Sequence, residues 1–352
     1  MASEKVMELS AQKTQKTRKA ILLLAILSPL TAEVLSSSTP ILLFLIPYVA
    51  VFQIAFYGFG ALLIRETVYR LGLGRRSILL LGAAYGIFEE ALINNTWFNT
   101  HWPDVLYLKQ YGDFWGINWL WGENLTFFHA VISISIPIFL AEMIFPQFAS
   151  RPWLSKRGII AIAIVFGIDS AISLALFGFI LYRGVGYSSP PFWQYLAILA
   201  LCVLFIVLGL QKPRGSRKIR PVKPPKLWLL RLFGFFGSLF EIVSGGFFQP
   251  RIPALVAIII TACIYSCMAA LIWRWSSAEG WGNRQILALS YGFLGLFLFI
   301  IAPIIEFIGH IGAKPTHGEL LVAAVYILVL TYLSHREKQA ARISVVPQNV
   351  IV

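Results

Sequence analysis

Apolar residues in this chain arrive in long runs, and polar or charged residues are largely confined to the gaps between them. About ten runs reach the roughly 17 to 25 residues that an α-helix needs to cross a hydrocarbon layer. They predict spans at 19–35, 41–63, 77–95, 124–145, 158–181, 192–210, 227–248, 253–273, 285–307 and 319–334. A spanning segment must satisfy its own backbone, so the expected fold class is all-α, a polytopic transmembrane helix bundle. The first run follows a basic arm, as a leader would, but Pro29 and Glu33 interrupt it and it is read as a span.

Composition agrees with that pattern. The 352 residues are 58% hydrophobic and 13% charged, with mean hydropathy +0.75, where soluble domains are about 25% charged. A net charge of +13 would suit a nucleic-acid binder, so its placement decides. All Lys and Arg except Lys109, Arg183, Arg251 and Lys314 fall on one side of the expected layer. The positive-inside rule makes that side cytoplasmic, with both termini on it, and accounts for the charge without nucleic acid. The organisation expected is an unstructured basic cytoplasmic arm at 1–18, a six-helix membrane part at 19–210, a basic Pro-rich cytoplasmic linker at 211–226, a four-helix part at 227–334 and a cytoplasmic tail at 335–352. The expected location is the cell membrane, with the lipid bilayer as partner. Cys202, Cys263 and Cys267 lie within spans and read as packing residues.

Candidate chemistry concentrates between Gly82 and Pro137. Glu89 and Glu90 are adjacent carboxylates inside an apolar span, a costly placement that marks a functional site. With 3.6 residues per turn, Gly82, Gly86, Glu90 and Asn94 form one stripe facing the bundle interior, and Glu89 is turned about 100° toward another neighbour. The glycine spacing admits a close helix, and the next span offers Leu125, His129, Ser133 and Pro137 on one face. Pro137 should free a carbonyl there. Counting about 1.5 Å per residue puts Glu90 about 20 Å up a roughly 30 Å layer, and His129 about 7 Å below its outer boundary, at similar depth. Between them Trp97, Trp102, Trp115, Trp119 and Trp121 predict an aromatic belt at the outer interface.

These positions outline an outward-facing pocket of Glu89, Glu90 and His129, with Asn94, Asn95, Ser133, Glu33, Glu241, Glu306 and His310 as further binding candidates. Glu90 and His129 could hold a divalent metal such as zinc, which imidazole and carboxylate suit. Alternatively, a carboxylate could act as a general base on water or carry a proton.

Tyr85-Gly-Ile-Phe-Glu-Glu-Ala-Leu-Ile-Asn94 and Leu125-Thr-Phe-Phe-His129 resemble the first two motifs of the CPBP (CAAX protease and bacteriocin-processing) intramembrane metalloproteases, Glu-Glu-x-x-x-Arg and Phe-x-x-x-His. Asn94 stands where arginine is expected and Leu125 where phenylalanine is expected. The third motif, His-x-x-x-Asn, has no counterpart, because His310 is followed by Ile-Gly-Ala-Lys. The resemblance, limited to residues 85–129, implies that Glu89 and Glu90 activate water while His129 helps bind metal or the oxyanion.

Three functions follow as expectations. The first is an intramembrane hydrolase acting on a lipid or membrane peptide at the outer leaflet. The second is a cation- or proton-coupled transporter, for which Asp169 and Glu142 would have to supply the inner path. The third is a non-catalytic membrane assembly protein.

Overall fold

The computed structural model describes residues 2–99, 102, 111–180, 190–212, 223–311 and 314–343. In chain order the main helices are α1 (Ala2–Pro29), α2 (Pro47–Arg70), α3 (Arg75–Ile87), α4 (Trp119–Ile144) and α5 (Lys156–Phe177). They are followed by α6 (Phe192–Leu210), α7 (Leu227–Phe248), α8 (Ala254–Trp275), α9 (Asn283–Ile308) and α10 (Glu319–Ile343). Among the described residues eight of these, all but α1 and α3, are long and apolar enough to cross a membrane. The multi-pass all-α class is therefore present. The α1 and α3 helices stand where the first and third spans are expected, each extended by a π-helical turn, Leu30–Val34 and Phe88–Ile93.

Several boundaries differ from the sequence expectation. Residues 2–18, expected as an unstructured arm, continue α1 as helix. They contain no Gly or Pro and many good helix formers, and the following span supplies the nucleus. The second span starts at Pro47 rather than at residue 41: a short helix, Ile41–Phe44, breaks before it. Proline holds the preceding Ile46 extended (ψ 122°) and favours the first helical turn. At its other end α2 runs on to Arg70. Most of the basic linker (residues 213–222), residues 344–352 of the tail, and His101 lie outside the described residues.

α4 is the central helix, buried on nearly all sides. One core cluster joins its Phe128, Val131, Ile132, Ile136 and Leu140 to Leu230 of α7, Leu287 and Phe293 of α9 and Tyr326 of α10. A second joins its Ile134, Ile138 and Ala141 to Leu24 of α1, Leu62 of α2 and Ile78 and Leu81 of α3. Helices before and after residues 211–226 thus share α4 as a common wall. On the periphery α5, α6 and α8 expose apolar residues such as Ile160, Ile164, Leu199, Val203 and Ile259, as faces turned to lipid do. Two minimal antiparallel hairpins, β1 (Asp113–Phe114) with β2 (Ile117–Asn118) and β3 (His310–Ile311) with β4 (Lys314–Pro315), lie at the end expected to face outward.

Candidate metal centre in the membrane

The glycine stripe does what its spacing implies. A Cβ on Gly86 would fall 2.8 Å from the Cβ of His129, and one on Gly82 would fall 3.1 Å from the Cα of Ala130. α3 and α4 therefore touch almost backbone to backbone, and His129 (2% exposed) is held against Glu89 (1% exposed). His129 Nε2 lies 3.1 Å from Glu90 Oε1 and Nδ1 lies 3.3 Å from Glu89 Oε2.

Both glutamates face the ring, which corrects the expectation that Glu89 turns to a different neighbour. The cause is the π-helical turn Phe88–Ile93, closed by Asn94 N–H on Glu89 O at 2.9 Å. A wider turn changes the angular step between successive residues, so the 3.6-residue count no longer applies. The same irregularity recurs at each helix that supplies the site. Glu33 sits in the π-turn Leu30–Val34, Tyr57 in Ile54–Gly58, and His129 opens His129–Ser135. Such turns are frequent at functional sites.

A chain of polar contacts joins these groups. Gln53 Nε2 donates to Thr39 Oγ1 at 3.2 Å, and Thr39 Oγ1 donates to Glu33 Oε2 at 2.6 Å. The Tyr57 hydroxyl lies between Glu33 Oε1, at 2.5 Å, and Glu89 Oε1. On the far side of His129, Thr96 Oγ1 donates to Glu90 Oε2 at 2.6 Å and accepts from Trp121 Nε1 at 3.2 Å. Each glutamate thus has one oxygen pinned by a hydroxyl and the other turned to the imidazole. The predicted proline effect also appears: the carbonyl of Ser133, four residues before Pro137, accepts from Ser28 Oγ at 2.8 Å.

The other candidates divide. Glu33 joins through Tyr57, and Glu241 on α7 lies within electrostatic range of His129. Asn94 contributes its backbone N–H. Asn95, at φ 58°, turns to α6, where Tyr195 donates to its Oδ1. The Ser133 hydroxyl is buried without a hydrogen-bond partner among the described residues. Glu306 and His310 do not join the site. Glu306 accepts from the N–H groups of Gly318 and Leu320 at the start of α10, and His310 is exposed in the β3–β4 hairpin. Tyr57, Thr96 and Trp121 were not anticipated; the available signal was that a tyrosine hydroxyl buried in an apolar span needs a partner.

The donor set fits a metal ion. One ligand atom from each of Glu89, Glu90 and His129 lies within 4.8 Å of the others. Glu89 Oε2 and His129 Nδ1, though 3.3 Å apart, are both buried without a well-formed hydrogen bond among the described residues. A neutral imidazole donates through one nitrogen only. With carboxyl oxygens at both nitrogens, one contact needs a further proton, on the ring or on the carboxyl, or a metal ion to be favourable.

Comparison with known proteins gives membership without an activity. A protein from Archaeoglobus fulgidus, described as an uncharacterized protein, is 26% identical over 215 residues, covering 58% of this chain and 60% of the relative. The match therefore spans less than two thirds of that relative's length. No solved structure matches. A family model matches residues 22–332, which takes in every helix that builds the site, and the chain belongs to that family, described as an uncharacterized membrane protein family.

Proposed function

We propose that the protein is an intramembrane hydrolase of the cell membrane, with Glu89, Glu90 and His129 as its reaction centre and a divalent metal ion, zinc or similar, as cofactor. The observation that carries this reading is the closure of two carboxylates from one π-turn on both nitrogens of a single buried histidine. The resemblance of residues 85–129 to the CPBP metalloproteases points the same way.

Glu90 and His129 would hold the ion, with Glu90 oriented by Thr96. Bound there, a divalent ion would polarise a carbonyl or ester oxygen and ease ionisation of a water. Glu89 takes the role of general base: Tyr57 fixes its Oε1, leaving Oε2 as the atom free to accept a proton. The apolar residues around the centre restrict bulk water.

Elemental mass spectrometry of detergent-purified protein tests the proposal. Stoichiometric metal is expected in the wild type, with loss in both Glu90→Ala and His129→Ala. Metal-free wild type, or metal retained in both variants, would remove the hydrolase reading.

A transport reading draws on the polar chain from Gln53 to Trp121, which could pass protons. Against it, Ile78, Leu81, Ile134 and Ile138 form a packed apolar cluster on the inner side of His129. Asp169 and Glu142, the expected inner path, are separated: Glu142 is bound to Arg65 at 3.0 Å near the other end of α4.

A further inference from the structure

α5 turns most of its surface to lipid, with Ile160, Ile164, Ile168 and Ile172 exposed, but buries a stripe of Asp169, Ser170 and Ser173. Asp169 is 7% exposed, and its Oδ2 has no hydrogen-bond partner among the described residues. Tyr85 on α3 is 5% exposed, and its hydroxyl lies beside Glu89 without a well-formed hydrogen bond among the described residues. Leaving such groups unpaired or poorly paired is costly, so an orphaned carboxylate oxygen with an unsatisfied hydroxyl in one region suggests a polar ligand.

The packing brings them to the same place. The ring of Phe166, about one turn before Asp169, lies 6.4 Å from that of Tyr85, 5.8 Å from that of Phe88 and 5.6 Å from that of Phe56. Both helices run the same way, so one turn outward from this aromatic cluster α5 presents Asp169 and α3 presents Glu89. Asp169 is within electrostatic range of Tyr85, and the rings of Tyr85 and His129 are 6.1 Å apart. The charge balance of the neighbourhood favours a cation: Glu33, Glu89, Glu90 and Glu241 lie in range of one imidazole, and Asp169 lies in range of Tyr85 beside it. Aromatic rings beside a carboxylate suit an ammonium group, which gains from ring faces and from a charged acceptor together.

We propose that Asp169 and Tyr85, with Phe56, Phe88 and Phe166 beside them, form a subsite for the primary ammonium headgroup of a membrane lipid. The lipid would enter between α5 and α3 from the bilayer, placing its polar portion beside Glu89. This rests on the hydrolase reading for its chemistry and names a substrate class for it, an aminophospholipid. The Asp169 carboxylate accepts from the ammonium N–H groups, and the Tyr85 hydroxyl donates to the adjoining phosphate or ester oxygens.

The test is native mass spectrometry of the protein exchanged into equal mixtures of phosphatidylethanolamine, phosphatidylcholine and phosphatidylglycerol, with metal content read on the same samples. Phosphatidylethanolamine should be retained over both others by about tenfold, the value of one charge-assisted hydrogen bond. Asp169→Asn should abolish that preference with metal content unchanged. Tyr85→Phe, which removes only an oxygen that meets groups common to all three lipids, should lower retention of all three with the preference intact, and tests the subsite if Asp169→Asn fails to fold. No preference for the primary amine, a preference that survives Asp169→Asn, or unchanged retention of all three lipids in Tyr85→Phe would overturn the subsite. Metal-free protein that still shows an Asp169-dependent preference would remove the hydrolase reading alone. Metal-loaded protein without the preference would remove the subsite alone.

Discussion

Arg65→Ala should cost about 3–5 kcal/mol of stability, the range for removing one partner of a buried ion pair. Arg65 is fully buried, and all five of its N–H donors are used. Nε donates to Glu142 at 3.0 Å, Nη1 to Glu66 at 3.5 Å and to the Arg151 carbonyl at 3.2 Å, and Nη2 to the carbonyls of Phe148 and Ala149 at 3.2 Å each. Trp153 stacks on the guanidinium, 3.4 Å from its ring centroid, and also donates its backbone N–H to Glu66 at 2.6 Å. The segment after α4 is therefore wound around one α2 side chain. Alanine leaves Glu142 and the Phe148 carbonyl buried, and the Ala149 and Arg151 carbonyls half-buried, without that donor. Arg65→Lys should recover little, because an ammonium has three donors and no plane on which Trp153 can stack. Thermal unfolding in detergent, read beside limited proteolysis at 145–155, measures the effect. The double replacement Arg65→Met with Glu142→Leu should be more stable than Arg65→Ala, since it removes the unpaired acid as well. An unchanged melting temperature in Arg65→Ala would contradict this account.

Arg65 also marks where the sequence was and was not legible. Its charge counts toward the cytoplasmic bias expected of the second loop, yet the residue belongs to helix, because α2 continues to Arg70. Hydropathy locates where a span is apolar, and a buried, fully paired arginine lies beyond what it registers. The same division holds at the candidate centre. Depth counting along α3 and α4 correctly brings Glu90 and His129 to one level, and the Gly82–Gly86 spacing correctly brings the helices together. The direction of Glu89 was lost because local π-turns change the angular step, and nothing in residues 88–93 announces one. Glu306 matched the pattern of an outer-end acid, but its carboxylate caps the N–H groups opening α10. A carboxylate at a helix start does that work as well as it could bind a ligand, and one sequence does not separate the two.

Gly58→Ala should damage fold and centre together, although Gly58 contacts no candidate ligand. A Cβ there would lie 2.2 Å from the carbonyl oxygen of Ala25 and 2.8 Å from its Cα. Both are backbone atoms of α1, so no side chain can swing aside to relieve the clash. Overpacking of this kind costs about 1–3 kcal/mol, or more where helices must separate. The displacement falls next to Tyr57, whose carbonyl accepts from Ser28 Oγ at 3.2 Å and whose hydroxyl links Glu33 to Glu89. Displacing α2 at this point moves Tyr57 off Glu89, whose other oxygen faces His129 Nδ1 at 3.3 Å, so the imidazole that would hold the ion loses its support and metal content should fall along with the melting temperature. Gly292→Ala supplies the control. Its Cβ would lie 2.3 Å from the Arg231 carbonyl oxygen, where α9 crosses α7, so a comparable loss of stability is expected. None of the polar chain from Gln53 to Trp121 runs through that contact, and metal per folded protein should stay at the wild-type level. If both variants lose stability and both keep their metal, Tyr57 is a packing residue with a fortunate hydroxyl. Loss of metal in Gly58→Ala alone makes the α1–α2 contact part of how Glu89 is held in place.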